Sequence, residues 1–252
     1  GGKAAFGLPG ESYVRVLDGL HDAQGGMRFI VCRQEGGASY MAEASGKLTG
    51  EPGVLFVTRG AGATNGAIGV HTAFQDSTPM VVFVGQVPNE FGDREAFQEI
   101  DYRRMYGQMA KWVAQIDRVE RIPEYVSRAF HTAMAGRPGP VVLALPEDTL
   151  FAEAAVADVP KAHRVRPAPA PSEIQELKSL LEKSERPFVL LGGGGWGGET
   201  TRKVQKWIEA AALAVGTSFR CQDLFDNRSA SYAGDVGSGI NPNLAQRVRE
   251  AD

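Results

Sequence analysis

Short apolar runs, each followed by a turn and then by a stretch of helical pattern, constrain this 252-residue chain more than any other feature. Residues 28–32, 54–57, 80–84 and 141–145 are such runs, rich in β-branched side chains. Runs of this kind suit strands covered on both faces, which is the condition inside a parallel sheet. Between them, Tyr13, Val14, Leu17 and Leu20 share one face of a predicted helix, as do Ala38, Met41, Ala42 and Ser45. A third helix is signalled by Ile122, Val126, Ala129 and Phe130, with Gly136 to stop it. Strand–helix alternation predicts an α/β fold: a doubly wound, mostly parallel sheet flanked by helices. Functional loops in that architecture gather at the carboxyl ends of the strands.

From 151 to 171 the pattern gives way to alanine, valine and proline, with Pro160, Pro167, Pro169 and Pro171 in the densest part. That composition predicts an extended linker. A second, Rossmann-like α/β segment follows, with a helix over 172–183, a strand over 187–191, the run GGGGWGG, a helix over 200–215 and a strand near 215–219. These strands are too few for a complete sheet. The organisation expected is a domain over 1–150, a linker over 151–171 and the first part of another domain over 172–252.

The formal net charge is −3, with acids and bases interspersed, which argues against nucleic acid or an anionic membrane as the main partner. His21, His71, His131 and His163 are scattered and show no metal-ligand spacing. Cys32 and Cys221 cannot build a disulfide framework or a zinc site, so a reducing cytoplasm is the expected location. No apolar run approaches the length of a membrane span, and the opening GGKAAFGLPGES reads as an entry partway into a domain rather than as a signal peptide.

Three glycine-rich loops follow predicted strands: RQEGG, TRGAGATNG (58–66) and GQVP (85–88). Glycines there let the backbone approach a ligand, although tight strand-to-helix turns need glycine as well. The first loop holds a lone carboxylate, Glu35, where the chain leaves the sheet. As an acid at a helix amino terminus it would be favoured by the helix dipole alone.

The segments FGLPGES, RQEGGASYMAEASGKLTG, TRGAGATNG, FQDSTPMVVFVGQVP, EAFQE and GRPGPVVLALPED occur in this order. As an ordered set they resemble the amino-terminal, pyrimidine-binding domain of thiamine diphosphate-dependent enzymes, most closely the acetolactate synthase-like group. The resemblance covers nearly all of residues 5–150, and the segment from Arg186 is similar to the first half of that family's central domain. It implies that Glu35 binds a ring nitrogen of the cofactor's aminopyrimidine and promotes its imino tautomer. That tautomer generates the ylid that attacks a 2-keto acid. A poorly solvated carboxylate gains by sharing a proton with such a ligand, while the cofactor performs the carbanion chemistry.

By the same resemblance, Asn65 and residues 60–64, Gly60 and Ala61 among them, pack beside the pyrimidine. Phe97 and Gln98 line the cofactor and acceptor pocket, where ordinary burial of Phe97 and surface placement of Gln98 is the plainer account. Arg137 matches a flavin-holding arginine, so FAD is allowed; a helix-terminal cation explains it equally well. Glu35, Gln98 and Glu11 are thus the candidate catalytic residues. Gly192 and its glycine neighbours could approach a dinucleotide but lack an acidic residue at the expected distance in a completed βαβ unit. Glu43 is read as structural.

The chain departs from the family pattern in several places. Ala61 stands where a proline is usual, Glu147 where acetolactate synthases carry a substrate-facing lysine, and Glu11 where they carry glycine and keto-acid decarboxylases carry aspartate. Reversing a charge at a channel mouth should matter for an anionic keto acid. The paired histidines of pyruvate decarboxylase-like enzymes are absent between Gly85 and Tyr106. The family's GDG motif, which holds magnesium and the diphosphate in a carboxy-terminal domain, has no counterpart here; GDV at 234–236 lacks the second glycine. No metal ligand is therefore expected in this chain, and Mg2+ is expected through a domain outside it. The resemblance implies 2-keto acid substrates and a homodimer or homotetramer. The alternatives are a simple 2-keto acid decarboxylase or lyase of the same family, and a truncated, non-catalytic binding or assembly module.

Overall fold

The computed structural model describes residues 3–23, 26–165 and 167–252, and divides between residues 165 and 166 into two compact units. The first unit runs β1 (Ala4–Gly7), α1 (Val14–Asp22), β2 (Arg28–Val31), α2 (Glu35–Thr49), β3 (Gly53–Val57), α3 (Ala61–Asp76) and β4 (Met80–Gln86). It continues through α4 (Tyr102–Tyr106), β5 (Trp112–Gln115), α5 (Ile122–Met134), β6 (Pro140–Pro146) and α6 (Glu147–Phe151). The six strands pair in parallel in the order β2-β1-β3-β4-β6-β5. The chain winds from β1 out to β2 and returns to the other side of β1 at β3. The carboxyl ends of β1 and β3 therefore flank a topological switch point, where such sheets bind ligands.

The apolar runs divide residue by residue between two cores, as a period of two requires. Val54, Phe56, Val81, Phe83, Val141 and Leu143 belong to one, which Leu17 and Leu20 of α1 and Ala129 of α5 cover. Leu55, Val57, Val82, Val84, Val142 and Ala144 belong to the other, closed by Ala38 and Ala42 of α2 and Val70 and Ala73 of α3. Each fully buried aliphatic side chain contributes about 1.5–3 kcal/mol. Tertiary burial of this kind holds α2 and α3 helical despite their glycines.

Some elements lie where the sequence pattern does not place them. β1 and β5 are four residues each, too short to show a period. α3 begins at Ala61, so most of the expected loop 58–66 is helix. Its small residues are there for close packing: a Cβ on Gly69 would lie 2.3 Å from Ser39 Oγ. Met41 is exposed rather than sharing a buried face with Ala38 and Ala42, because the buried stripe of α2 runs through Gly36, Ser39, Glu43 and Gly46. Glu43 has the structural place expected of it, buried and accepting a 2.9 Å hydrogen bond from Thr78 Oγ1. Gly85 does not line a ligand path; a Cβ there would lie 2.0 Å from Ser12 Oγ.

Among the described residues no helix or strand falls between Phe151 and Pro171. Arg166, within the predicted linker, lies outside the described residues. The second unit contains α7 (Pro171–Lys183), β7 (Phe188–Leu191), α8 (Gly198–Ala210), β8 (Ala214–Ser218), β9 (Tyr232–Val236) and α9 (Pro242–Arg249). Its strands pair in parallel in the order β7-β8-β9. Two corrections follow. α8 stops at Ala210, with Ala212 at φ 52°, so β7-α8-β8 is a completed βαβ unit. Of the glycines after β7, Gly192 serves tight packing, since a Cβ there would lie 2.2 Å from Ser218 Oγ, while Gly193 and Gly195 adopt φ 74° and 94°. β9 escaped the pattern because Gly234 (φ 127°) interrupts it and its register against β8 is irregular.

No helix among the described residues is long and apolar enough to cross a membrane.

Candidate functional site

Glu35 is the first residue of α2, after Gln34, whose side chain caps the helix by accepting from the Gly37 N–H at 2.8 Å. The acid has its dipole-favoured place, and it also has a specific partner. Asn65 Nδ2 donates to Glu35 Oε2 at 3.1 Å. The two meet because α2 and α3 pack through small residues. Ser39 Oγ donates to the Gly36 carbonyl at 2.9 Å and accepts from the Gly69 N–H at 3.2 Å. The other Glu35 oxygen, Oε1, lies 3.5 Å from where a Cβ on Gly62 would stand, and Thr58 Cγ2 closes that position at 2.8 Å. Glu35 is half-buried.

The turn between β3 and α3 is built on Gly60, which adopts φ 62° and donates its N–H to the Tyr102 hydroxyl at 3.0 Å. A side chain on Gly60 would stand 2.6 Å from Gln98 Cβ, so Gln98 packs directly over the turn. Ala61 opens α3 at the position proline favours, so the departure from proline leaves the turn formed. Gln98 is half-buried and has φ 65°, whereas Phe97 is 75% exposed. That is the reverse of the plainer expectation for the pair.

Arg59, unremarked within TRGAGATNG, organises the rest. Its guanidinium pairs with Glu147 at the end of β6 and lies 3.5 Å from Glu11 at the end of β1, and its Nε donates to the Phe97 carbonyl at 3.2 Å. Its backbone N–H donates to Ser12 Oγ at 3.3 Å, and Ser12 Oγ bonds Thr58 Oγ1 at 2.8 Å. Glu11, Glu147, Phe97 and Gln98 thus gather around one strand-end turn, one residue pair away from the wall beside Glu35. Sequence reasoning could have noticed a cation between a strand and a glycine turn. Its partner 88 residues away becomes visible only in the fold.

Arg137 stands apart. Its Nε donates to Ser77 Oγ at 2.7 Å and its guanidinium to the Phe74 carbonyl at 3.2 Å, at the carboxyl end of α3. At about 1.5 Å per residue, roughly 13 Å of helix separates Phe74 from Asn65. It acts there as a helix-terminal cation. Among the described residues no group of three or more His, Cys, Asp or Glu is placed to hold a metal ion.

Three tyrosines lie under this corner. Burial first, and the negative charge of Glu35 second, push the Tyr13 hydroxyl above the ordinary tyrosine value. Burial pushes Tyr102 up to about 12, although the Gly60 N–H and the Arg59 charge pull the other way. Burial and then Tyr102 push Tyr106 up as well. A raised folded-state value means that the unfolded chain loses its proton first as pH climbs. Stability held below pH 10.0 should therefore decline toward about pH 12. Urea midpoints across that window should fall, and fall less in Tyr102→Phe; identical slopes in the two proteins would contradict the assignment.

The parallel sheet, its switch point and the carboxylate held at the strand ends define an α/β enzyme module. Two family models match: the thiamine pyrophosphate enzyme N-terminal TPP binding domain over residues 1–105, and the thiamine pyrophosphate enzyme central domain over residues 174–252. The chain belongs to the thiamine diphosphate-dependent enzyme family, in its acetolactate synthase-like group. It is 32% identical over 259 residues to a probable acetolactate synthase large subunit of Methanocaldococcus jannaschii, covering 100% of this chain and 44% of that protein. It is 36% identical over 200 residues to the acetolactate synthase large subunit of Lactococcus lactis, with 77% and 34% covered. With acetolactate synthase isozyme 3 large subunit of Escherichia coli it shares 34% over 221 residues, with 85% and 38% covered. The chain spans less than half the length of these relatives.

Proposed function

We propose that the protein carrying this chain cleaves a 2-keto acid beside its carbonyl group and joins the remaining fragment to a second carbonyl compound, using thiamine diphosphate. The Glu35–Asn65 corner carries this reading. Glu35 has one oxygen held by Asn65 and the other, Oε1, beside Gly62, an arrangement that suits the edge of a flat, nitrogen-containing ring. Bound thiamine diphosphate supplies the carbanion chemistry that breaks and forms bonds next to a keto group. Glu35 holds a proton against the ring nitrogen, and Asn65 keeps the carboxylate oriented. Gly60 lets Gln98 sit directly over the turn, Gly62 keeps the wall beside Glu35 Oε1 free of a side chain, and Phe97 covers the acceptor side.

Mg2+ and the diphosphate belong, in this reading, to residues outside the chain. The protein works as a cytoplasmic homodimer or homotetramer in which 1–150 is the pyrimidine-binding domain and 172–252 the start of the central domain. A second reading, simple decarboxylation, is favoured by the exposed Glu11 carboxylate at the strand-end turn.

The test is a calorimetric titration of the protein with thiamine diphosphate and Mg2+, followed by product analysis across a set of 2-keto acids. Magnesium-dependent binding, CO2 release and a joined product are expected. CO2 with only an aldehyde would select simple decarboxylation. Neither binding nor CO2 release would leave a non-catalytic module. The visible absorption spectrum of the same sample reads flavin directly.

A further inference from the structure

The charge around Arg59 does not balance. Two carboxylates, Glu11 and Glu147, face a single guanidinium. The Arg59 side chain is only 11% exposed and is already committed to Glu147 and the Phe97 carbonyl. Glu11 is 75% exposed and stands 3.5 Å from the guanidinium it shares with Glu147, so its charge lies open to solvent beside the turn and is only partly compensated. Among the groups that make this turn, Ser12 and Thr58 are neutral and bond each other. Gln98 is neutral, and Phe97 offers an exposed ring. The wall therefore presents one excess negative charge together with an apolar surface. A cleft of one sign repels ligands of that sign more strongly than an open surface does.

We infer that Glu11, Arg59 and Glu147 form a specificity filter on the acceptor side, excluding a second 2-keto acid and admitting an acceptor without a carboxylate, an aldehyde or simple ketone. The inference rests on the function proposed above and names the acceptor class for it. Arg59 is a positioning residue here: it fixes the Phe97 carbonyl and anchors both acids. The acids set the charge.

The experiment compares two acceptors matched apart from the carboxylate, acetaldehyde and glyoxylate, with one 2-keto acid donor and the holoenzyme loaded with thiamine diphosphate and Mg2+. The ratio of kcat/KM values should favour acetaldehyde by roughly tenfold or more, and the preference should shrink as salt is raised. Glu11→Gln and Glu147→Gln, which keep side-chain size, should each move the ratio toward glyoxylate. The wild-type ratio and its salt dependence decide the matter even if a variant fails to fold. Equal use of both acceptors with no salt dependence overturns the filter and leaves the proposed function standing. No turnover of any 2-keto acid overturns both.

Discussion

Glu35→Gln is expected to leave the fold intact and to lower kcat by about a hundred- to ten-thousandfold, the range lost when a positioned proton-transfer group is removed. Glutamine has the same shape and still offers an oxygen to Asn65 Nδ2, so the contact between α2 and α3 survives. The cap from Gln34 to Gly37 is untouched. Loss of the negative charge in the first turn of α2 costs the helix only about 0.3–1 kcal/mol. The two accounts of Glu35 thus separate cleanly. If the acid serves only the helix dipole, the thermal midpoint shifts slightly and turnover does not. If it holds a proton on the cofactor ring, turnover collapses while the midpoint scarcely moves. Normal kcat in a folded, cofactor-loaded variant would remove Glu35 from the chemistry.

What the sequence revealed follows from which interactions are local. The apolar runs at 54–57, 80–84 and 141–145 read correctly as strands because burial on both faces leaves an unbroken hydrophobic signal. β1 and β9 were lost because AAFG is short and YAGDV is interrupted by Gly234. Glycine also misled in α3, where Gly62 and Gly66 of the expected loop are helix. Packing against α2 and β3 overrides their propensity. Glu35 was legible as an acid at a strand end, and the ordered motifs supplied its role. Arg59 was not, because a lone arginine acquires meaning only through its partners Glu11, Phe97 and Glu147, which lie far from it in sequence. Its pairing with Glu147 also changes how that departure reads: the acid is first the counter-ion of Arg59 and only then a feature of the crevice.

The second large effect belongs to the core beneath the site. Phe56→Ala should destabilise the first unit by about 3–5 kcal/mol, the usual cost of emptying a buried phenylalanine site. Phe56 is 5% exposed. Its ring stacks on Phe83 at 4.7 Å and on Tyr13 at 5.9 Å, and tilts against Phe29 at 6.2 Å, so several partners lose contact at once. Such aromatic pairs add about 0.5–1.5 kcal/mol each beyond simple burial. Collapse around the void is resisted by the backbone, because the Phe56 carbonyl sits where a Cβ on Gly7 would lie, at 2.3 Å. Tyr13 matters most for function. It follows Ser12, whose hydroxyl bonds Thr58 and the Arg59 backbone, and its own hydroxyl donates to the Leu8 carbonyl. A loosened Tyr13 therefore lets the Glu11 turn drift relative to Arg59. Urea unfolding followed by near-ultraviolet circular dichroism should show the lost stability, and Phe56→Leu should lose clearly less. A Phe56→Ala unfolding free energy within about 1 kcal/mol of the parent would mean that the site collapses freely, contrary to its packing. Because the aromatic stack and the strand-end turn share Tyr13, the acceptor preference should degrade in Phe56→Ala even at temperatures where the protein stays folded.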